Sequence, residues 1–252
     1  DHRDLHLSLR RQRQMCIRDR AYSDERILTA ERLVPLPDSI DDKIAAAAMV
    51  KGITVQFLIR QTFRVEPGQV VVLHAAAGGV GLIACQWLKH LGITVIGTVG
   101  SEAKAEIARA HGADHVLIHG RDDIAGLARE LTNGLGVPVV YDSIGKATFD
   151  ESVSCLAPRG MLVSFGNVSG YIEPVYLSKV FGAQSLFFTW AKMHHYIESR
   201  ADLLGATQDL FEVINSGAVQ IHVNQTYPLH EAARAHIDLE ARSTTGSSVL
   251  IP

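Results

Sequence analysis

The chain has 252 residues, a formal net charge of −3, 47% hydrophobic and 20% charged residues. That is the composition of a water-soluble globular protein of one large or two smaller domains, and it gives no electrostatic reason to expect a nucleic-acid partner. Three scattered cysteines (Cys16, Cys85 and Cys155) build neither a disulfide framework nor a Cys-x-x-Cys metal knuckle, and no apolar run is long enough to span a bilayer; a reducing cytoplasm is the expected setting.

Residues 1–20, DHRDLHLSLRRQRQMCIRDR, are strongly basic and carry no amphipathic period. Residues 11–20 resemble the in-frame translation of a transposon-type sequencing adapter, so this segment is expected to be foreign to the native protein and is set aside. From Ala21 the pattern sharpens. Residues 33–38 read as an extended segment ending in a turn, with Asp38 or Ser39 as a helix cap before an Ala-rich helix at 44–49; residues 51–62 read as a second helix.

After the turn Glu66-Pro67-Gly68, strands and helices alternate. Strands are expected at 70–73, 94–97, 115–118, 137–141 and 161–165, with a sixth candidate at 185–189. Helices fall between them at 79–91, 102–111, 122–132 and 148–156, and Gly112 sits where a C-terminal glycine cap belongs. This alternation implies a doubly wound parallel α/β sheet of the Rossmann type. Beyond it come an amphipathic helix at 201–216, a segment at 220–227 with no assigned conformation, a helix at 231–241 and a terminal strand at 248–251.

The loop after the first strand fits A-x-G-x-x-G at Ala76, Gly78 and Gly81, with Gly79 and Val80 between. Small residues let the backbone turn tightly and approach a pyrophosphate, and the helix that follows points its N–H groups at that anion. Dinucleotide binders that prefer NAD carry a carboxylate at the end of the second strand. Here that strand end has Gly100 and Ser101, and Lys104 on the next helix can reach a 2′-phosphate; Glu102 is the one residue that argues against this.

HAAAGGVGLIACQW (74–87), GTVG (97–100), VVYDSIG (139–145), VSFGNVSG (163–170) and GSSVLIP (246–252) together resemble the zinc-independent NADPH:quinone oxidoreductases. These belong to the medium-chain dehydrogenase/reductase superfamily and are related to zeta-crystallin. The resemblance runs from about Ala21 to the C-terminus. It implies NADPH as cofactor and a quinone as substrate, and it adds site residues. Thr54 and Phe165-Gly166-Asn167 match positions near the nicotinamide and its ribose, and Ser143 lines the same crevice. Ser101 and Lys104 match 2′-phosphate contacts, and Arg242 matches a C-terminal arginine that reaches the cofactor. His119 stands where the family often has a tyrosine beside the 2′-phosphate, with Arg121 close by.

The resemblance further implies a GroES-like catalytic domain of which only remnants are expected here. The organisation read from it is a tail of that domain at 21–50, the NADPH-binding domain at 51–192, and a returning segment at 193–252. Such a chain is expected to bind cofactor weakly and turn over poorly. Residues 182–189 (GAQSLFFT) carry the β-prone character of an edge strand through which family members form homodimers. No catalytic acid or base is assigned. Neither the catalytic cysteine ligand of zinc relatives, expected near 51–54, nor their four-cysteine lobe occurs in the sequence, and His194-His195 reads as surface. Two further readings stand beside quinone reduction: an enone or alkenal reductase of the same superfamily, and a non-catalytic NADPH-binding protein of the crystallin or RNA-binding kind.

Overall fold

The computed structural model describes residues 22, 23, 25, 27–241, 243, 244 and 246–252. Residues 1–21, the expected foreign segment among them, and Arg242 lie outside the described residues.

Helix α1 (Asp42–Phe57) runs unbroken and passes directly into one π-helical stretch, Leu58–Thr62. The two helices expected at 44–49 and 51–62 are therefore one. The expected break falls at Val50, and Gly52, a residue that weakens a helix, lies just after it. Gly52 persists because α1 packs tightly there: a Cβ on it would lie 2.3 Å from Cδ1 of Leu210. The cap is Asp41 rather than Asp38 or Ser39, its carboxylate accepting from Lys43 N at 2.9 Å and Ile44 N at 3.4 Å. In the π stretch Phe63 N donates to Leu58 O, and the buried Tyr141 hydroxyl reaches both Leu58 O and Phe63 O at 3.4 Å.

The alternating region follows as β1 (Val70–Leu73), α2 (Gly79–His90), β2 (Thr94–Val99), α3 (Glu102–Ala110), β3 (His115–Ile118), α4 (Ile124–Glu130), β4 (Val137–Asp142), α5 (Phe149–Cys155) and β5 (Leu156–Ser164). Short helices α6 (Leu177–Val180) and α7 (Met193–Tyr196) flank β6 (Phe187–Trp190). The six strands form one sheet in the order β3-β2-β1-β4-β5-β6, and every pairing is parallel. This is the doubly wound order, in which the direction of winding reverses between β1 and β4. A crevice opens outside the strand C-termini at that reversal.

Two cores explain why the central strands are apolar throughout. On one face Val71, Leu73, Val95, Val139 and Tyr141 meet Trp87, Leu88, Ala105, Ala108 and Leu210; on the other Val72, Ile96, Val140 and Leu162 meet Ile124, Ala128 and Phe149. Both described cysteines are free and buried, Cys85 in the first core and Cys155 in the second.

Several strand boundaries differ from expectation by a residue or more, and the starts of β5 and β6 have causes visible in the backbone. β5 begins at Leu156, five residues early, because Pro158-Arg159-Gly160 is absorbed by a register shift against β4, with Arg159 in the left-handed region at φ 65°. β6 begins at Phe187 because Ser185 is left-handed, φ 54°, and cannot continue a strand. Among the described residues β6 is an edge strand of the sheet, and it exposes Phe187 and Phe188.

The remaining chain forms α8 (Arg200–Asn215), β7 (Val223–Pro228), α9 (Ala232–Glu240) and β8 (Ser247–Ile251). β7 and β8 pair in parallel as a separate two-stranded sheet that lies against α1. No helix among the described residues is long and apolar enough to cross a membrane.

Candidate functional site

β1 delivers the chain to the switch point at Leu73. Ala75 then takes the left-handed conformation, φ 57°, and Gly78 N closes the turn onto Ala75 O at 2.8 Å. A Cβ on Gly81 would lie 2.4 Å from Ala75 O and 2.6 Å from Ala76 O, so only glycine lets α2 press its first turn onto this loop. The buried Ala76 anchors the loop through its N–H to Thr98 O at 3.0 Å. Gly78 is the N-cap of α2, and no side chain caps the helix. The first-turn N–H groups of Gly79, Val80 and Gly81, which have no partner within an α-helix, therefore face the crevice as anion donors.

β2 ends beside β1, and α3 starts the same way. Ser101 is its N-cap, yet its hydroxyl makes no cap hydrogen bond. Gly100 has open space where a Cβ would point, and Lys104 is exposed on the first turn. Glu102, beside them, does not carry a free carboxylate: Arg121 Nη1 donates to its Oε1 at 2.7 Å. His119, at the end of β3, faces Glu151, with Nδ1 2.9 Å from Oε2. Its ring is thus already engaged with a carboxylate beside the α3 start.

The loops after β4 and β5 form the other side. Phe165 N donates to Asp142 O at 2.9 Å and Val168 N to Ser143 O at 3.3 Å, which brings Ser143 and Phe165-Gly166-Asn167 together. Thr54 lies half-buried on α1, with its hydroxyl donating to Val50 O at 2.7 Å. One turn earlier Lys51 is the α1 residue that reaches the glycine loop: its Cε lies 2.8 Å from where a Cβ on Gly79 would be, and Nζ donates to Ser247 Oγ at 2.7 Å. Burial lowers the Lys51 pKa.

Beneath the loops lies a buried polar network that sequence reading missed. Asp142 Oδ1 accepts from Ile144 N (2.7 Å) and Gly145 N (3.0 Å), and Oδ2 from the hydroxyls of Thr148 and Ser152, each at 2.8 Å. Ser152 has one proton, which it gives to Asp142, so it accepts from His74 Nε2 at 3.0 Å. His74 Nδ1 is then the acceptor for the Thr98 hydroxyl at 2.7 Å. Burial, the dominant cause, lowers the His74 pKa, with the Asp142 charge opposing it; this agrees with a neutral ring. The network joins the ends of β1, β2 and β4, whose loops line the crevice. His74 has no role assigned from the sequence beyond its place at the start of the 74–87 motif. The available signal was a carboxylate directly following the apolar run of β4.

His194 and His195 are exposed and pack against each other, ring centroids 4.0 Å apart. Among the described residues no three His, Cys, Asp or Glu side chains are placed to hold one metal ion.

A family model described as zinc-binding dehydrogenase matches residues 79–212, which spans the sheet from α2 to α8. A quinone oxidoreductase of Pseudomonas aeruginosa is 48% identical over 232 residues, covering 92% of this chain and 71% of that protein. The chain belongs to the quinone oxidoreductase family. Within the same medium-chain dehydrogenase/reductase superfamily, a 2-haloacrylate reductase of a Burkholderia species is 45% identical over 235 residues, covering 92% of this chain and 71% of that protein. The crystal structure of an Escherichia coli quinone oxidoreductase complexed with NADPH superposes with a TM-score of 0.87 at 44% identity, covering 92% of this chain and 72% of that one.

Proposed function

We propose that the chain is an NADPH-dependent, zinc-independent quinone reductase. The observation that carries this reading is the pair of uncapped helix starts, α2 at Gly78 after β1 and α3 at Ser101 after the neighbouring β2. One suits a pyrophosphate and the other a 2′-phosphate, since a helix N-terminus stabilises an anion and neither offers a competing carboxylate cap. The small-residue cradle fits the dinucleotide: Ala76, Gly78, Gly79, Val80 and Gly81 hold the pyrophosphate, and Gly100, Ser101, Lys104 and His119 receive the 2′-phosphate. Thr54, Ser143, Phe165, Gly166 and Asn167 surround the nicotinamide and its ribose, and Arg242 is assigned to the cofactor by the family resemblance alone.

When bound, the nicotinamide supplies a hydride, so the protein has to bind, orient and exclude water rather than act as a nucleophile. The Asp142 network holds the three loops in register for that task. Zinc independence rests on residue identity, because Lys51, Gly52, Ile53 and Thr54 put no metal ligand where zinc relatives have a cysteine. The β6 edge supports assembly as a homodimer through that strand.

Fluorescence titrations with NADPH and NADH test the cofactor assignment. Tighter NADPH binding that is lost in Lys104→Ala supports it; equal binding of NADH refutes the role of Lys104. The 45% identity to a 2-haloacrylate reductase favours a second reading, reduction of an activated alkene. Product analysis with a quinone and a 2-haloacrylate in parallel separates the two.

A further inference from the structure

Glu102 stands about twenty residues after the glycine loop and three past the end of β2, close to the strand end where an NAD-preferring protein keeps the carboxylate that accepts from the adenosine ribose. It is also the first residue of α3, next to Ser101 and two residues from Lys104. An unpaired carboxylate there would repel a 2′-phosphate and would suit a bare ribose. The structure shows what prevents this. Arg121 Nε and Nη2 form a fork on Asp122, at 2.8 and 3.1 Å, and Asp122 Oδ2 also accepts Ile118 N at 2.7 Å. The fork fixes the guanidinium to the end of β3. From there Nη1 extends 2.7 Å to Glu102 Oε1.

We propose that Arg121 is a specificity-determining residue: held by Asp122, it masks Glu102 and keeps the α3 start selective for a 2′-phosphorylated dinucleotide. This rests on the NADPH reading and deepens it. Isolated surface ion pairs contribute little to stability, but a forked, pre-positioned guanidinium is the exception in geometry. Its effect here is on the local field felt by a ligand rather than on folding. Arg121 and Glu102 are both largely exposed, so replacing either leaves the core untouched.

The test is the ratio of NADH to NADPH dissociation constants, measured by fluorescence titration at low salt for four proteins. The wild type favours NADPH. Arg121→Leu exposes the Glu102 carboxylate and lowers the ratio about tenfold. Adding Glu102→Gln to Arg121→Leu restores the ratio to near the wild-type value, and Glu102→Gln alone leaves it unchanged or raises it. An unchanged ratio in Arg121→Leu, with the wild type still favouring NADPH, overturns the masking role and leaves the NADPH reading intact. A double variant that stays low shows that Arg121 acts on the phosphate itself, which also overturns masking. A lowered ratio in Glu102→Gln does the same. A wild type with no preference for NADPH removes the underlying reading and this inference with it. Thermal midpoints of all four are expected to coincide, which separates a change in selectivity from a change in folding.

Discussion

The helices of this protein begin in two different ways. On the periphery α1, α4 and α8 are capped by side chains: Asp41 onto Lys43 and Ile44, Asp123 onto Gly126, and Ser199 onto Asp202. At the C-terminal edge of the sheet α2 and α3 are not capped, although Gly78 and Ser101 occupy their N-cap positions. Capping stabilises a helix by about 1 kcal/mol, so an uncapped start is a local loss. Helices α5, α6, α7 and α9 also start without a side-chain cap, so a missing cap alone does not mark a ligand; at α2 and α3 it coincides with the glycine loop and the strand C-termini, and there the N–H groups are left for something else. A capping side chain at Gly78 or Ser101 would compete for the same donors.

The largest effect is expected from removing what supports the open ends. Asp142→Ala leaves two buried hydroxyls and the Ile144 and Gly145 N–H groups without their shared acceptor. At about 1–3 kcal/mol for each orphaned buried group, a loss above about 4 kcal/mol in urea unfolding is expected; a loss under 1 kcal/mol would show that the network is not what holds these loops. Next, Gly78→Asp turns α2 into a self-capped helix. The backbone there is already extended, at φ −78° and ψ 169°, although the new Cβ would sit 3.1 Å from Ala75 O. NADPH affinity should fall about a hundredfold while the thermal midpoint holds or rises. A variant that still binds NADPH as the wild type does would mean that α2 does not face the pyrophosphate.

Ser101→Asp applies the same change to α3 and should weaken NADPH about tenfold with little change for NADH, measured by paired titrations. Smallest of all, Asp41→Ala and Asp123→Ala remove peripheral caps. Each should cost about 1 kcal/mol of stability and leave both cofactor affinities unchanged. If either changed NADPH binding by more than about threefold, the division into self-satisfied and ligand-facing ends would fail.

Much of the fold was legible because its signals are local. β1 is an unbroken apolar run, and its glycine loop and α2 follow within six residues, so their positions could be read almost to the residue. The misplaced boundaries have non-local causes. Leu210, far along the chain, packs so closely on α1 at Gly52, two residues past the expected break, that no Cβ fits there, and pairing with β4 draws β5 back to Leu156. In the site, the glycine loop, Ser101 and Lys104 were legible, since each sits at a fixed offset from a strand end. The His74–Ser152–Asp142 chain was not. Its members are separated by up to 78 positions and meet only because α5 folds back over the ends of β1 and β4. The same holds for Glu102 and Arg121, which were noted separately and joined only by the turn after β3.

The placement of the two described cysteines has a chemical consequence. Quinones are electrophiles that alkylate thiolates as well as accept hydride. Burial, the leading cause in both cases, pushes the Cys85 and Cys155 thiols up to about 12. At neutral pH only about one molecule in a hundred thousand would then carry a thiolate at either position. Enclosed in the two cores, both sulfurs are also sterically out of reach of a dissolved ring. A protein whose proposed substrate is a thiol poison thus keeps these two sulfurs as packing atoms, immune to the compound it handles.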